Sequence, residues 1–228
     1  MAAAPLAILV PAYNCAETIA TVVSGARRHV PRVLVVDDGS SDATAEVAAT
    51  AGAEVLRHEV NRGKGAALCT GMGTLAASGI GRVLTMDGDG QHLADQIPVL
   101  LEASSRAPHG LIIGARQVAP GQASAIRLFG NRFANRWVAI ACGLALPDTQ
   151  SGFRVYPMPE TLALGARAHH FDFETEVLIR AARGGILVVS VPVQAYYPPP
   201  AERVSHFRPF VDTVRIIRIV LRLILLGS

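Results

Sequence analysis

Short apolar runs alternate with longer amphipathic stretches along most of the chain. Residues 6–10 form an apolar run closed by Pro11. Residues 33–36 form a second, ended by Asp37-Asp38-Gly39-Ser40. Residues 82–86, carrying Val83, Leu84 and Met86, read as another strand, cut off by Asp87-Gly88-Asp89-Gly90. Such runs are too short for helices and lack apolar–polar alternation, so they read as strands buried on both faces. Residues 54–57 and 111–114 read as two further strands. Between them, residues 16–29, 42–51, 66–78 and 96–104 carry helical spacing, with Ser41 or Asp42 placed to cap the second helix. Residues 173–183 repeat the spacing through Val177, Leu178 and Ala181 and read as a core helix. Strands alternating with helices at this pitch predict an α/β fold: a mostly parallel, Rossmann-like sheet with helices on both faces. In open sheets of this kind ligands collect outside the carboxyl ends of the strands. Three polar signals fall at such ends: Tyr13-Asn14, Asp37-Asp38 and Asp87 to Asp89.

Composition narrows the class. With 228 residues, half of them hydrophobic and 17% charged, the chain suits one large domain with a sizeable core. A net charge of +3 without a basic block argues against nucleic acid as a partner. Cys15, Cys69 and Cys142 are far apart and form no CxxC pair, which excludes a thiolate metal cage and a disulfide framework and points to a reducing compartment. The first residues carry no basic region ahead of their apolar run, so no secretion signal is expected. No apolar stretch reaches the roughly 18 residues of a membrane span. Pro198-Pro199-Pro200 divides the chain into residues 1–200, the α/β domain, and residues 201–228.

The chemistry concentrates at the strand ends. Two carboxylates flanking a glycine, as in Asp87-Gly88-Asp89, can approach one cation while the backbone comes close to a ligand. Oxygen ligands of this kind suit Mg2+ or Mn2+, with diphosphate oxygens completing the shell. An acidic surface turn is the bland alternative. Asp37 and Asp38 can accept hydrogen bonds from a base or a ribose. Asn61-Arg62-Gly63-Lys64-Gly65 offers backbone N–H groups and two cations to an anion. It is not a phosphate loop of the G-x-x-x-x-G-K-[ST] type, and no G-x-G-x-x-G follows a strand, which disfavours a dehydrogenase. A phosphorelay receiver would carry its acidic pair after the first strand, not the second. A nucleotidyltransferase would need a glycine-rich turn where Pro11-Ala12-Tyr13-Asn14 stands.

Four motifs occur in order: Val10-Pro11-Ala12-Tyr13-Asn14, Val35 to Asp42, Asn61 to Gly65, and Asp87-Gly88-Asp89-Gly90-Gln91-His92. Together they resemble the family-2 glycosyltransferases of the GT-A fold, above all the polyprenyl-phosphate (dolichyl-phosphate) mannose and glucose synthase branch. Gly114-Ala115-Arg116 and Asp148 to Arg154 extend the resemblance over about residues 5–200. It implies an inverting transfer of a hexose from a GDP- or UDP-sugar to a lipid-linked acceptor. Pro11, Tyr13, Asn14 and Glu17 would line the nucleotide-sugar pocket, Asp38 would contact the base, and Lys64 and Gly88 would lie beside the diphosphate. Asp87 would sit near ribose and metal, with Asp89 and Gln91 on the metal side. Arg116 would face the donor, and Asp148 and Gln150 would lie where sugar and acceptor meet. Arg203 would grip phosphate. In this branch a Ser-Lys pair often follows that residue; here Ser205 is followed by His206. A hydroxyl acceptor would require a general base, for which Asp148 is the candidate. A phosphate acceptor would not. A non-catalytic nucleotide-sugar-binding relative is the remaining reading.

Residues 211–226 place Arg215, Arg218 and Arg222 on one helical face, surrounded by aliphatic residues. This C-terminal amphipathic helix reads as lying on an anionic membrane surface at the cytoplasmic face. Packing on the domain, or against a second copy in a homodimer, is the alternative for the same helix.

Overall fold

The structure is a computed structural model that describes residues 4–117, 125–196 and 209–226; no side-chain statement extends to residues 125–130, 209, 210, 213 or 226. Arg203, Ser205 and His206 therefore lie outside the described residues.

Seven strands form one sheet: β1 (Leu6–Ala12), β2 (Val33–Asp37), β3 (Glu54–Arg57), β4 (Arg82–Thr85), β5 (Leu111–Gln117), β6 (Arg154–Pro157) and β7 (Val188–Gln194). Their order is β3-β2-β1-β4-β6-β5-β7. All neighbours pair in parallel except at β6, which runs antiparallel between β4 and β5. Eight α-helices accompany them among the described residues: α1 (Ala16–Arg27), α2 (Thr44–Thr50), α3 (Lys64–Ala77), α4 (Ile97–Arg106), α5 (Ala125–Cys142), α6 (Glu160–Ala163), α7 (Phe173–Arg183) and α8 (Pro209–Leu226).

The period of two along β1 decides which helices meet it. Ala7 and Leu9 join a core shared with Leu68 and Met72 of α3, Val177 of α7, Val138 of α5 and Ile219 of α8. Ile8, Val10 and Ala12 join the opposite core, with Ile19 and Val22 of α1 and Leu100 of α4. Every residue of β2 is buried. Each fully buried aliphatic side chain contributes about 1.5–3 kcal/mol, so the central strands anchor the fold. Close approach has its own requirement: a methyl group on Gly71 would stand 2.2 Å from a Leu9 methyl, so α3 rests directly on β1.

Several boundaries differ from the hydrophobic pattern for physical reasons. The pattern starts a helix at residue 66, but α3 starts at Lys64. Gly63, at φ +97, turns the chain so that its carbonyl accepts the Ala67 N–H at 3.1 Å. Asp42 lies outside α2 and instead accepts the backbone N–H groups of Ala16 at 3.1 Å and Thr44 at 3.0 Å. β5 runs on to Gln117 because β7 pairs with its whole length. The hydrophobic pattern leaves α5, β6 and β7 unassigned.

α8 packs on α5 and α7. Ile216, Ile219, Val220 and Leu223 are buried. Val211, Val214, Arg218, Leu221, Arg222 and Leu225 form its outer face. Arg215 leaves the expected basic stripe and pairs with buried Asp212 at 3.0 Å. Among the described residues no helix is long and apolar enough to cross a membrane.

Candidate active site at the carboxyl ends of the central strands

β2, β1 and β4 are neighbours, so the three polar signals expected at strand ends converge on one edge. At the end of β1, Pro11 is buried, Tyr13 is half-buried and Glu17 is exposed in the first turn of α1. Asn14 adopts φ 47, a left-handed conformation that asparagine tolerates. Its N–H donates to Ser40 Oγ at 2.9 Å, and its Oδ1 accepts the Ser41 N–H at 2.8 Å. Asn14 thus stitches the β1 loop to the β2 loop. Asp37 accepts the Ser40 N–H at 3.0 Å and faces Arg57 Nε at 3.2 Å. Asp38 is buried, and both its oxygens serve its own chain. Oδ1 lies 2.7 Å from His58 Nδ1 and accepts the Arg62 N–H at 2.9 Å; Oδ2 accepts the Gly63 N–H at 2.7 Å. Asp38 therefore fixes the glycine-rich turn that delivers Lys64.

At the end of β4, Asp87 Oδ1 lies 2.6 Å from Lys64 Nζ. Burial alone would raise its carboxyl, but Lys64 and then His92 outweigh that and hold it at about 2. The Asp87 N–H donates to His92 Nδ1 at 2.9 Å. His92 stacks on Phe153 at 5.0 Å. Burial pulls its pKa from 6.5 to about 4, with partial compensation by Asp87. Neutral His92 with an accepting Nδ1 carries its proton on Nε2, which faces Asp87 Oδ2 at 3.9 Å. A methyl on Gly88 would meet Cys15 Sγ at 2.9 Å, so only glycine lets this turn lie against the start of α1. Asp89 accepts both Gln91 donors, the backbone N–H at 3.0 Å and the side-chain amide at 2.9 Å. Burial first, and then neighbouring Asp87, raise the Asp89 carboxyl to about 6. An acid cluster under this strain fits a divalent cation, which would hold both groups ionised. Among the described residues no group of three His, Cys, Asp or Glu side chains is placed to hold a metal ion by itself. A cation here would take further oxygen ligands from its ligand.

The other wall comes from β5, the loop before β6, and α7. Arg116 grips Asp148 with two hydrogen bonds, Nε to Oδ2 at 2.7 Å and Nη2 to Oδ1 at 2.9 Å. The Arg116 N–H adds a third to Oδ2 at 3.2 Å. Burial, which alone would raise the Asp148 carboxyl, is outweighed by Arg116, and the carboxyl lies below its ordinary range. The Gln150 N–H donates to Asp148 Oδ1 at 3.3 Å, and its side-chain amide to Thr149 Oγ1 at 3.0 Å. Fully buried Arg154 ties this loop to α7, donating to the carbonyls of Ser151, Thr149 and Glu174. Glu174 is a site residue that the sequence reading missed. Its carboxylate lies 3.2 Å from Lys64 Nζ. The available signal was an acid three and four residues before Val177 and Leu178, on the apolar stripe of α7. His169-His170 lies in a loop packed on the glycine-rich turn, where the His169 carbonyl accepts the Ala66 N–H at 3.0 Å. The segment just after β7 closes the rim as the Tyr196 N–H donates to the Gln91 carbonyl at 2.9 Å.

Known proteins resemble this chain in sequence and in fold. The chain is 34% identical over 208 residues to glycosyltransferase AglJ of Haloferax volcanii, covering 90% of this chain and 67% of that protein. It is 32% identical over 200 residues to the undecaprenyl-phosphate mannosyltransferase of Micrococcus luteus, covering 81% of each. Glucosyl-3-phosphoglycerate synthase of Mycobacterium tuberculosis, crystallised with Mn2+, uridine diphosphate and its product, superposes at a TM-score of 0.72 over 96% of this chain and 79% of that one. At 21% identity that likeness speaks for the GT-A fold alone. Glycosyl transferase family 2 matches residues 7–157, which take in the central strands and the Asp37, Lys64 and Asp87 turns. The chain is a glycosyltransferase and belongs to glycosyl transferase family 2.

Proposed function

We propose that the chain transfers a hexose, with inversion, from a GDP- or UDP-sugar to a polyprenyl phosphate at a membrane surface. The observation that carries the acceptor class is the bidentate Arg116–Asp148 pair. A carboxylate with both oxygens engaged and its pKa depressed is a poor general base. A hydroxyl acceptor needs such a base, whereas a phosphate is already anionic and needs only positioning. The relatives support the class: those in Micrococcus luteus and Mycolicibacterium smegmatis are an undecaprenyl-phosphate mannosyltransferase and a polyprenol monophosphomannose synthase.

In this reading Pro11, Tyr13 and Glu17 border the nucleoside, and Asp38 and Asn14 shape its pocket by fixing the adjacent turns. Asp87 and Asp89, with Gln91 steering the Asp89 carboxylate, would hold Mg2+ or Mn2+. A cation held there would neutralise charge on the departing diphosphate. Lys64 and Arg116 add positive charge on the same side, and Arg203 of segment 201–228 is assigned to a phosphate. Gln150 borders the sugar. An acceptor phosphate oxygen bonds to the anomeric carbon as the bond from that carbon to the diphosphate breaks. The nucleoside diphosphate leaves, and no proton has to move.

The membrane part of the proposal rests on α5 and α8. The Arg183 guanidinium donates to the carbonyls of Ala141 at 2.8 Å and Leu223 at 2.6 Å, so the carboxyl ends of α5 and α8 lie within reach of one side chain. Around that end Ile140 is 59% exposed and Leu225 78%. Arg132 and Arg136 of α5 and Arg218 and Arg222 of α8 are exposed. The two helices contain one acid, Asp212, buried and paired to Arg215. Greasy and basic surface without exposed acid suits an anionic leaflet facing the cytoplasm.

The deciding experiment supplies purified protein and Mn2+ with a panel of GDP- and UDP-sugars and either undecaprenyl phosphate or undecaprenol. Release of nucleoside diphosphate with a labelled lipid product is expected from the phosphate alone. Turnover with the alcohol, or with neither, overturns the acceptor assignment.

A further inference from the structure

Lys64 is held between two carboxylates rather than one. Nζ lies 2.6 Å from Asp87 Oδ1 and 3.2 Å from Glu174 Oε2. The three groups come from the starts of α3 and α7 and the end of β4, and the Lys64 side chain is 13% exposed. Glu174 is braced from behind: its carbonyl accepts Arg154 Nη1 at 2.7 Å, and Arg154 is fully buried. The second carboxylate oxygen, Oε1, is buried with no hydrogen-bond partner among the described residues. Gly152 closes the arrangement. A methyl there would stand 2.7 Å from Lys64 Nζ, 2.8 Å from Glu174 Oε1 and 3.1 Å from Asp87 Oδ1. The phenyl ring of Phe171 lies 5.7 Å from the ammonium.

One ammonium shared by two carboxylates leaves the trio with a net charge of −1. Without Glu174, Lys64 would face Asp87 alone and cancel its charge. A buried carboxylate oxygen with no donor is costly, so a fold that retains one has a use for it or fills it in another state. We propose that Glu174 is a positioning residue that shares Lys64 with Asp87, leaving the trio net negative for an incoming divalent cation and offering the ammonium a second oxygen when the cation arrives. The inference rests on the preceding reading that Asp87 and Asp89 receive a cation with a nucleoside diphosphate. It adds a residue from the acceptor-side half of the chain to the control of the donor end.

The sign of the effect separates this role from scaffolding. Removing the Glu174 charge makes the trio neutral, which disfavours a cation and does not disfavour an anionic nucleotide alone. Glu174→Gln is compared with the unaltered chain in three measurements: Mn2+ affinity by electron paramagnetic resonance with saturating UDP or GDP, nucleotide affinity in EDTA by calorimetry, and thermal melting. Mn2+ affinity is expected to fall about tenfold or more, the scale on which one nearby charge shifts an ionic equilibrium. Nucleotide affinity in EDTA is expected to stay level or rise. A parallel loss of both, or no change in either, overturns the proposal. Should Glu174→Gln not fold, Glu174→Asp withdraws the carboxylate by one methylene and is expected to weaken Mn2+ selectively, to a smaller degree; a parallel loss again overturns it. If the unaltered chain binds no Mn2+ with either nucleotide, the donor-site reading falls together with this one. If it does bind and the variants match it, only the role of Glu174 falls.

Discussion

The two halves of the sheet are built differently. β1 to β4 are parallel strands joined by consecutive helices, and the candidate donor residues of this half lie at strand ends, in the turns that follow them, or in the first turn of a helix. Beyond β4 the chain skips a place: β5 lies two positions away, and β6 returns antiparallel to fill the gap. Asp148 and Gln150 sit on the long connection that feeds β6, held in place by Arg116 from β5 and Arg154 from β6. In the donor half, strand ends position the chemistry. In the acceptor half, two arginines do so, by gripping a loop that has no regular structure of its own. Substitutions should therefore act differently in the two halves, through lost ligand contacts in the first and lost bracing in the second.

The largest expected effect is on the donor side. Among the described residues Asp89 hydrogen-bonds only to Gln91, so Asp89→Asn should leave the fold intact. It should lower kcat/KM by roughly a thousandfold, the scale for losing one group that supports charge on a leaving group. Steady-state kinetics with saturating Mn2+, beside a melting curve, decide it. A variant within about fivefold of the parent chain would remove Asp89 from the reaction.

In the acceptor half, Arg116→Ala leaves Asp148, 4% exposed at its side chain, without its main partner. Breaking such a pair costs about 3–5 kcal/mol of stability, readable as a shift in the urea midpoint. Asp148→Asn removes the charge and keeps most of the geometry. Turnover within about tenfold of the parent is expected if the acceptor is a phosphate; loss of a general base would cost about a hundredfold to ten-thousandfold.

The same contrast governs what the sequence reveals. The buried strands β1, β2 and β4 are short, largely apolar runs ended by polar residues, and they lie side by side in the sheet. Their ends therefore read directly as one site. β6 gives no such signal, because Arg154-Val155-Tyr156-Pro157 looks like a loop until β4 and β5 enclose it. Asp37 and Asp38 were legible as acids at a strand end, but not as braces. That role depends on His58, Arg57 and the Arg62 and Gly63 amides, which only the fold brings round. Glu174 was hidden by its surroundings: α7 reads as core, and Lys64 lies over one hundred positions earlier.

His92 sharpens the comparison from the donor side. Its pKa falls from 6.5 to about 4 because it is buried as the neutral ring that accepts the Asp87 N–H. Between those values the unfolded chain binds a proton that the native chain refuses. This contribution to stability is full above pH 6.5 and is lost as pH falls through 4, about 3 kcal/mol in all. Urea titrations in EDTA at pH 7 and pH 4.5 should show the loss, and His92→Asn should flatten that part of the profile. An unchanged profile would assign the acid sensitivity to the carboxylates of the other half.

The last expected effect lies farthest from the chemistry and belongs to the acceptor half alone. Arg218 and Arg222 stand on the outer face of α8, beside exposed Leu221 and Leu225. Each arginine near an anionic leaflet contributes about 1 kcal/mol, so Arg218→Ala with Arg222→Ala should weaken partition to phosphatidylserine-containing vesicles by about thirtyfold. Arg132→Ala with Arg136→Ala tests whether α5 shares the surface, and a comparable loss is expected. Added salt should narrow the gap between variants and parent, because exposed charges are screened within about 10 Å at 0.1 M. Affinity for the nucleoside diphosphate should not move, since these helices border the other half of the molecule. If the parent ignores vesicles and the α8 substitutions instead shift the sedimentation coefficient, this face joins two copies of the chain, and the comparison then ends at the Arg116–Asp148 pair rather than at a lipid surface.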